Sequence, residues 1–324
     1  MTVATWVVGS GGLLGKALMR QIAARDHWQL LPPEPLDWLD QRSVFETSTS
    51  QLRLLFGQLG PDDEWCVLWV AGSGVIGTSR DHLNLEREQF RDVLGLIEKS
   101  ARDAGVTSRG TVFLASSAGG VYGGSANPPY TENTAAVPLS PYGETKLAME
   151  AELDRFASSS GVSVLKGRIA NLYGPGQKLS KMQGLISTLA KAQFSPTPAS
   201  IFVPLDTVRD YLFVDDCAQL ICDAIDMLRQ TAALVGPINV TKILASGEGV
   251  TIGALVGYFQ ALTRRRPHVM LGSSPTISMQ ALDLRLKSVV WPELDERSLT
   301  SLPAGIHATM LDILAHIQGS QNEV

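Results

Sequence analysis

The chain has 324 residues, of which 44% are apolar and 18% are charged, with 27 Lys and Arg against 32 Asp and Glu. This composition can bury a substantial core, which excludes intrinsic disorder as the main state. The net charge of −5 argues against nucleic acid as a partner, because binding to phosphates needs a basic surface.

The N-terminal sequence MTVATWVVGS has no basic segment ahead of an apolar run. No apolar stretch approaches the roughly 20 residues that span a bilayer. We therefore expect a cytoplasmic protein without a signal peptide or a membrane contact. Cys66, Cys217 and Cys222 are expected to be reduced, buried thiols. The five histidines form no metal-binding pattern, so no metal is expected.

Short apolar strands alternate with helical patterns along the first two thirds of the chain. The predicted strands are Val3–Val8, Trp28–Leu31, Cys66–Val70, Val112–Ala115, Val162–Leu165 and Ile238–Val240. The predicted helices are Leu13–Ala24, Glu86–Ala104, Tyr142–Ala157 and Asp216–Leu228. Apolar strands joined by crossover helices form parallel sheets that are covered on both faces. We therefore predict an α/β protein with a doubly wound parallel sheet of the Rossmann type and a smaller C-terminal domain of mixed α/β structure.

The pattern loosens after Gly174, where four prolines within residues 174–210 are unsuited to a central strand. We predict a large sheet domain over residues 1–170, which also receives parts of 208–240. Residues 171–207 and 241–324 are predicted to form the smaller domain. The larger domain is expected to bind a dinucleotide and the smaller one a substrate.

The dinucleotide prediction comes from the segment GSGGLLG at residues 9–15, between the first predicted strand and helix. Glycine allows a tight turn and lets the backbone approach a pyrophosphate, and the following helix offers free N–H groups and a positive dipole end. This position in the chain favours an NAD or NADP site over a plain structural turn. The expected contacts with the cofactor are Gly9, Gly11, Gly12, Leu13, Leu14, Gly15 and Ala71.

The sequence leaves the choice between NAD and NADP open. An acidic residue that binds the ribose is expected about 20 residues beyond the glycine turn, which falls near Glu34. No Asp ends the second strand, and no Arg stands there to bind a 2′-phosphate. Asp37 or Asp40 could approach the adenosine, although a solvated loop carboxylate fits equally well, and Asp37 is the candidate contact.

Tyr142 and Lys146 lie four residues apart in a predicted helix that begins near Pro141, so both side chains should share one face. A phenol has a reference pKa of about 10. A nearby ammonium and the positive ring of an oxidised nicotinamide stabilise the phenolate. The phenol could then exchange a proton with a hydroxyl or carbonyl group while hydride moves. The alternative is an ordinary surface pair.

Ser116 and Ser117 stand at the end of the predicted strand Val112–Ala115. Ligands of parallel sheets lie at the carboxyl ends of the strands, where a hydroxyl can bind the reacting oxygen beside the phenol. The alternative is a serine that only caps a turn.

Five motifs occur in one order along the chain. They are GSGGLLG (9–15), SSAGGVYGG (116–124), PYTENTAAVPLSPYGETKLAME (129–150), RIANLYGPGQ (168–177) and VRDYLFVDDCA (208–218). With these motifs the chain resembles the extended short-chain dehydrogenase/reductase family, in its NAD-dependent, nucleotide-sugar epimerase/dehydratase branch, over roughly residues 3–220.

The resemblance implies a role for each matching residue. Tyr142 would be the general acid/base, and Lys146 would hold the nicotinamide ribose and tune Tyr142. Ser117 would bind the reacting sugar oxygen, with Ser116 in support. No nucleic acid and no membrane are implied as partners.

Two further matching residues would face the substrate's diphosphate. Asn171 stands where such enzymes place an Asn toward the nucleotide-sugar phosphates, and Arg209 matches a diphosphate-binding arginine. A guanidinium suits a bidentate phosphate contact. The alternative for Arg209 is a salt bridge to Asp210 or Asp215.

The resemblance leaves two reactions open. An epimerase would oxidise a sugar hydroxyl, expected at C4, and return hydride to the other face of the keto intermediate. A keto-sugar reductase would consume NAD(P)H. The segment RIANLYGPGQ favours the epimerase, which is the predicted reaction, whereas PLDWLDQRSV (35–44) looks more like the reductases.

A third possibility is a cofactor-binding module that has lost catalysis. Its expected mark is a broken Tyr–Lys pair or glycine turn, and the sequence has neither. A homodimer is also expected from the resemblance, through the predicted helices Glu86–Ala104 and Tyr142–Ala157.

Overall fold

A computed structural model describes residues 2–177, 184–273 and 279–321. The strands are β1 (Val3–Val8), β2 (Trp28–Leu30), β3 (Glu64–Trp69), β4 (Gly110–Ser117), β5 (Ser163–Ile169), β6 (Asn171–Tyr173), β7 (Ala199–Ile201), β8 (Val208–Phe213), β9 (Asn239–Leu244), β10 (Gly249–Thr251) and β11 (Val269–Leu271). The helices are α1 (Leu13–Ala23), α2 (Gln41–Gly57), α3 (Arg80–Asp103), α4 (Ala118–Val121), α5 (Pro141–Ser160), α6 (Leu185–Ala192), α7 (Val214–Val235), α8 (Ile252–Thr263) and α9 (Leu302–Gln321).

The main sheet has six strands in the order β2-β1-β3-β4-β5-β9, and every neighbouring pair is parallel. Val8 pairs with Trp69, and Ser117 pairs with Ile169, so the carboxyl ends of the central strands lie along one edge. Because β1 lies between β2 and β3, the strand order reverses there, which is where ligands bind in such sheets. The predicted Rossmann-type sheet is confirmed.

Helices cover both faces of the main sheet, which explains why its strands are almost continuously apolar. α1 and α7 pack on one face in a core that contains Val7 and Leu18. α2, α3 and α5 pack on the other face in a core that contains Trp6, Phe90 and Leu153. Alternate residues of β1 thus enter opposite cores, as the period of a strand requires.

A smaller mixed α/β part follows the main sheet. It contains a three-stranded sheet in the order β10-β8-β6 and a two-stranded sheet of β11 and β7. Its core joins these strands to α6, α8 and α9 through residues such as Leu189, Phe213, Phe259 and Ile306. The chain passes from this part into α7 and β9 of the main sheet and then returns. The exact domain boundaries given above stay a prediction.

Several helices differ from the sequence prediction, among them α3 and α2. α3 begins at Arg80, six residues before the predicted start, because Ser79 caps it by accepting a hydrogen bond from the N–H of His82. α2 was not predicted. Its N-terminus is capped by Asp40, which accepts from the N–H of Arg42 at 2.9 Å.

Cys66, Cys217 and Cys222 are free and buried, as expected. Within the described ranges, no helix combines the length and apolarity needed to cross a bilayer. The same residues contain no group of three or more His, Cys, Asp or Glu side chains that could hold a metal ion.

Candidate active site

The glycine turn between β1 and α1 closes tightly on itself and on the end of β3. Gly9 has a φ of +94°, and a Cβ at this position would lie 2.6 Å from the backbone nitrogen of Ala71. A Cβ on Gly15 would lie only 2.2 Å from the carbonyl oxygen of Gly9, which also accepts the N–H of Gly12 at 3.0 Å. Glycine is therefore required at positions 9 and 15 by close backbone contacts.

The outer side of this turn fits a dinucleotide pyrophosphate. A Cβ on Gly11 would meet nothing within 4 Å, so the backbone there borders open space. Gly12 begins α1 without a side-chain cap, and the first turn carries no acidic residue. Leu13 and Leu14 pack their side chains into the core, which leaves their backbone amides as the groups that could bind an anion.

At the adenosine end, the candidate carboxylates make local hydrogen bonds. Asp37 is exposed in the loop after β2 and accepts the N–H of Leu39 at 3.0 Å. Asp40 caps α2, and Glu34 accepts a hydrogen bond from Gln51 at 2.9 Å. Unlike Asp40 and Glu34, Asp37 neither caps a helix nor binds another side chain among the described residues. Asp37 therefore remains the proposed contact for the adenosine.

Tyr142 and Lys146 lie together in the first turns of α5. Ser140 caps this helix by accepting the N–H of Gly143 at 3.2 Å, and Pro141 occupies its first position. The Nζ atom of Lys146 lies 5.7 Å from the centroid of the Tyr142 ring. The structure therefore places the phenol and the ammonium side by side on one helix face.

A third side chain, Glu86 of α3, joins this pair. Its Oε1 lies 3.1 Å from Nζ of Lys146, which is only 5% exposed. Burial alone would lower the pKa of Lys146, but the charge of Glu86, together with that of Tyr142, outweighs it and raises this pKa above its ordinary value. No pattern in the sequence indicates this contact, because 60 residues separate the two side chains and the packing of α3 on α5 joins them.

The loop after β3 connects the glycine turn to this cluster. Ala71 packs against Gly9, and a Cβ on the next residue, Gly72, would lie 3.4 Å from Nζ of Lys146. A cofactor lying on the glycine turn at the carboxyl edge of the sheet would therefore extend toward Lys146 and Tyr142.

Ser117 ends β4 and contacts Gly120, which borders the Tyr142 ring. Its Oγ caps α4 by accepting the N–H of Gly120 at 3.1 Å, so the turn-capping alternative is realised. A Cβ on Gly120 would lie 3.0 Å from Cε1 of Tyr142, which shows that both side chains border this glycine. Capping uses an acceptor position of the hydroxyl and leaves its hydrogen available for a ligand.

Ser116 points away from this site, because side chains alternate across a strand. It is 5% exposed, and its hydroxyl donates to Glu150 at 2.6 Å. Glu150 is paired with Arg168 at 2.7 Å, and Arg168 donates to the hydroxyl of Tyr122. Ser116 was predicted to support Ser117 in binding the substrate. This prediction is corrected, since the structure places the Ser116 hydroxyl in a buried network behind β4.

Asn171 and Arg209 lie on neighbouring strands of the smaller part, because β6 pairs with β8. The exposed Asn171 donates to the carbonyl of Asp210 at 3.0 Å, and its amide oxygen accepts no hydrogen bond from the residues that the structure describes. Arg209 is 7% exposed, and it donates to the carbonyls of Val208 at 2.9 Å and Ala281 at 2.8 Å.

The salt bridge considered for Arg209 is wrong. Asp210 accepts hydrogen bonds from the backbone of Ser246 and Gly247, and Asp215 pairs with Arg20 at 2.5 Å. Burial lowers the pKa of the Arg209 guanidinium, as expected for a buried cation whose described hydrogen bonds go to neutral oxygens.

Comparison with known proteins identifies the family of this chain. The model of the NAD dependent epimerase/dehydratase family matches residues 5–236. GDP-6-deoxy-D-mannose reductase of Pseudomonas aeruginosa is 31% identical over 224 residues, which are 67% of this chain and 68% of that protein. Two relatives align over shorter segments and span only about two fifths of their own length. They are dTDP-4-dehydro-6-deoxyglucose reductase of Escherichia coli (29% identity, 45% of this chain and 43% of that protein) and UDP-glucose 4-epimerase of Mycolicibacterium smegmatis (32% identity, 39% of this chain and 40% of that protein).

Solved structures share the whole fold. MoeE5 in complex with UDP-glucuronic acid and NAD superposes with a TM-score of 0.74 at 22% identity, covering 98% of this chain and 100% of that one. RMD from Pseudomonas aeruginosa complexed with NADPH gives a TM-score of 0.73 at 20% identity, with the same coverage. At these identities the match establishes the fold alone. The family match over most of the sequence goes further, and this chain belongs to the NAD dependent epimerase/dehydratase family, in which its relatives are nucleotide-sugar epimerases and reductases.

Proposed function

We propose that this protein is an NAD(P)-dependent oxidoreductase of the epimerase type, which transfers hydride reversibly at a hydroxyl or keto carbon of a nucleotide sugar, at C4. The observation that carries this proposal is the juxtaposition of Tyr142, Lys146 and Ser117 at the carboxyl edge of the sheet. Contacts through Gly9 and Ala71 connect this cluster to the glycine turn.

Each side chain of the cluster has a defined task in this reaction. Tyr142 takes the proton from the sugar hydroxyl as a phenolate during oxidation, and the resulting phenol returns the proton during reduction. The ammonium of Lys146 stabilises the phenolate, and Ser117 donates a hydrogen bond to the reacting oxygen. A nicotinamide cofactor supplies and accepts the hydride when it is bound.

The substrate's diphosphate is assigned to Asn171 and Arg209. Both residues lie on adjacent strands of the smaller part, next to the carboxyl edge of β5 from which β6 continues. The buried guanidinium of Arg209 supplies a positive charge, and the exposed amide of Asn171 supplies hydrogen-bonding groups.

A keto-sugar reductase is the second candidate. One specific observation favours it: the alignment with GDP-6-deoxy-D-mannose reductase extends over 224 residues, whereas that with UDP-glucose 4-epimerase extends over 127. Both reactions use the same phenol and ammonium, so the choice depends on whether the cofactor is retained between the two hydride transfers.

The test begins with the ultraviolet spectrum of the purified protein and of the supernatant after denaturation. We expect retained NAD, and interconversion of 4-epimers in a panel of UDP, dTDP and GDP sugars without net change in the cofactor. Stoichiometric oxidation of added NADPH or NADH by a 4-keto sugar would establish the reductase instead. Cofactor binding without turnover of either kind would favour the cofactor-binding module that has lost catalysis, and no cofactor binding at all would refute both enzyme candidates.

We also propose a cytoplasmic homodimer in which the outer faces of α3 and α5 meet their counterparts. The inner faces of these helices are already used in the monomer core, where Phe90 and Leu153 are buried. Three free thiols are typical of a reducing compartment. Sedimentation equilibrium is expected to give twice the chain mass of 34.8 kDa, and a monomer at micromolar concentration would contradict the proposal.

A further inference from the structure

We propose that Glu86 is a positioning residue of the Tyr142–Lys146 pair, whose carboxylate keeps the buried Lys146 ammonium charged and holds it against the loop that follows β3. This inference rests on the proposed roles of Tyr142 and Lys146. It adds a residue from a different helix, α3, which no sequence motif marks.

The first observation is the geometry of the carboxylate. Glu86 has a side chain that is only 11% exposed, and Oε1 lies 3.1 Å from Nζ of Lys146. Its other oxygen, Oε2, accepts the backbone N–H groups of Ser73 at 3.2 Å and Gly74 at 3.3 Å. One carboxylate thus links α3, α5 and the loop in a single arrangement.

The second observation is that the loop backbone is shaped around this contact. A Cβ on Gly72 would lie 2.7 Å from Oε1 of Glu86, and Gly72 has a φ of +154°. A Cβ on Gly74 would lie 2.6 Å from Cδ2 of Leu83 and in ordinary van der Waals contact with Cδ2 of Tyr142 at 3.4 Å and with Oε2 of Glu86 at 3.5 Å. A side chain at position 72 would therefore displace the Glu86 carboxylate or the loop, and one at position 74 would displace the loop from α3.

The third observation is the charge balance around Lys146. The charged and titratable groups that face it are Glu86 from α3 and Tyr142 and Glu150 from α5. Glu150 is already neutralised by Arg168, with which it forms a buried ion pair at 2.7 Å. Glu86 is therefore the main countercharge of Lys146 among the described residues.

A buried ammonium without a countercharge tends to lose its proton, because burial penalises the charged form. A neutral amine would stabilise the phenolate of Tyr142 far less than an ammonium does. By keeping Lys146 protonated, Glu86 would extend the range of pH in which the pair is active toward alkaline values. The loop itself contributes no charge here, and His82, which contacts the Ser73 hydroxyl at 2.8 Å, is exposed.

The direct test measures Lys146 itself in the cofactor-free protein. Lysines labelled with ¹³C at Cε are titrated by NMR, and the Lys146 signal is assigned by its loss in Lys146→Arg. In Glu86→Gln, which keeps an acceptor for the loop amides but removes the charge, we expect the Lys146 midpoint to fall by about 1 pH unit or more. In Glu86→Asp, which keeps the charge, the Lys146 midpoint should stay close to its wild-type value.

Glu88→Gln is the matched control, because Glu88 is exposed on the same helix two residues further along. It should leave the midpoint of Lys146 unchanged. An unmoved midpoint in Glu86→Gln, or an equal fall in Glu88→Gln, would overturn the inference.

The functional consequence is read from the pH profile of kcat/KM. The alkaline limb is expected to move to lower pH in Glu86→Gln by the amount that NMR gives for Lys146, whereas a merely structural defect would lower the whole profile without moving it. Different results would refute the inference and the proposed function. An active Tyr142→Phe would refute the function, while an inactive Tyr142→Phe with an unmoved Glu86→Gln profile would refute only the role of Glu86.

Discussion

Arg209 is a buried guanidinium that binds the carbonyls of Val208 and Ala281 and the side-chain oxygen of Gln280. Its positive charge therefore stays available for an anion, and a charge-assisted bond to a diphosphate contributes about 1.5–3 kcal/mol. We expect Arg209→Ala to raise KM for a nucleotide sugar roughly tenfold or more. Turnover of a small alcohol without a diphosphate should change much less.

Arg285→Ala is the control for this measurement. Arg285 is half exposed and pairs with Asp283 at 2.8 Å, so its loss should affect both substrates little. Equal losses for the nucleotide sugar and the alcohol in Arg209→Ala would argue against a diphosphate contact.

Asp210 predicts a specific dependence of stability on pH. Burial raises its pKa to about 6, although Ser246 and Gly247 donate hydrogen bonds to it. An unfolded aspartate titrates at about 4, so between these values the folded protein holds more protons than the unfolded chain. The free energy of unfolding therefore decreases as the pH rises through this window.

Urea unfolding between about pH 4.5 and 7 tests this sign. As the pH rises over this interval, the free energy of unfolding of the wild-type protein should decrease by about 2 kcal/mol more than that of Asp210→Asn. Asp206→Asn, at an exposed site, should follow the wild type. Parallel curves for Asp210→Asn and the wild type would contradict the raised pKa.

At the level of elements, substitutions at two glycines of the turn should have different effects, one on stability and the other on cofactor binding. Gly15→Ala places a Cβ 2.2 Å from the Gly9 carbonyl, so we expect it to lower the free energy of unfolding by roughly 2 kcal/mol or more. Gly11→Ala meets open space and should keep the stability of the cofactor-free protein while weakening the binding of NAD(P).

Gly257→Ala serves as the helical control, because Gly257 is exposed within α8 and a Cβ there meets nothing within 4 Å. It should stabilise the protein slightly, by up to about 1 kcal/mol. Thermal unfolding measures the stability of the three variants, and a fluorescence titration with NADH measures their cofactor affinity. A Gly15→Ala protein with wild-type stability would show that the turn is looser than described.

The elements also show which features the sequence could predict. Most strands of the main sheet and the helices α1, α5 and α7 follow from apolar runs and helical spacing within one segment. α2 was missed because its residues 41–57 are rich in polar side chains and bury only one face of the helix. Short strands such as β7 and β11 were missed because their pairing joins segments 70 residues apart.

Some residues of the candidate site could likewise be predicted from the sequence, and others could not. Tyr142 and Lys146 could be paired from their spacing, since four residues span one helical turn. The turn at Gly9–Gly15 could be read from its position between a strand and a helix. Glu86 could not be found, because its contact with Lys146 depends on how two helices pack. The inward orientation of Ser116 depends on the register of β4, which its neighbouring strands determine.

On the scale of the whole molecule, the segment after α8 returns to the main sheet and is anchored by Lys242. This side chain of β9 is fully buried, and its Nζ binds Asp295 at 2.8 Å, the Ser288 hydroxyl at 2.9 Å and the Val290 carbonyl at 2.7 Å. We expect Lys242→Met to lower the free energy of unfolding by about 3 kcal/mol, because several buried polar groups lose their partner.

Lys287→Met provides the comparison for that variant, since Lys287 is exposed in the same returning segment. Chemical denaturation should find it within about 0.5 kcal/mol of the wild type. Similar stabilities for the two methionine variants would mean that Lys242 does not hold the segment to the sheet.

The proposed hydride transfer requires Tyr142 to act on the substrate beside a bound cofactor. Its most direct test is Tyr142→Phe, measured with the best nucleotide-sugar substrate of the panel and with NAD(P) affinity determined on the same preparation. We predict that turnover falls by about 10²–10⁴-fold, because the proton transfer is lost, while cofactor affinity stays within a few fold of the wild type. Turnover within tenfold of the wild type, or a loss fully explained by weaker cofactor binding, would show that Tyr142 is not the proton-transfer residue.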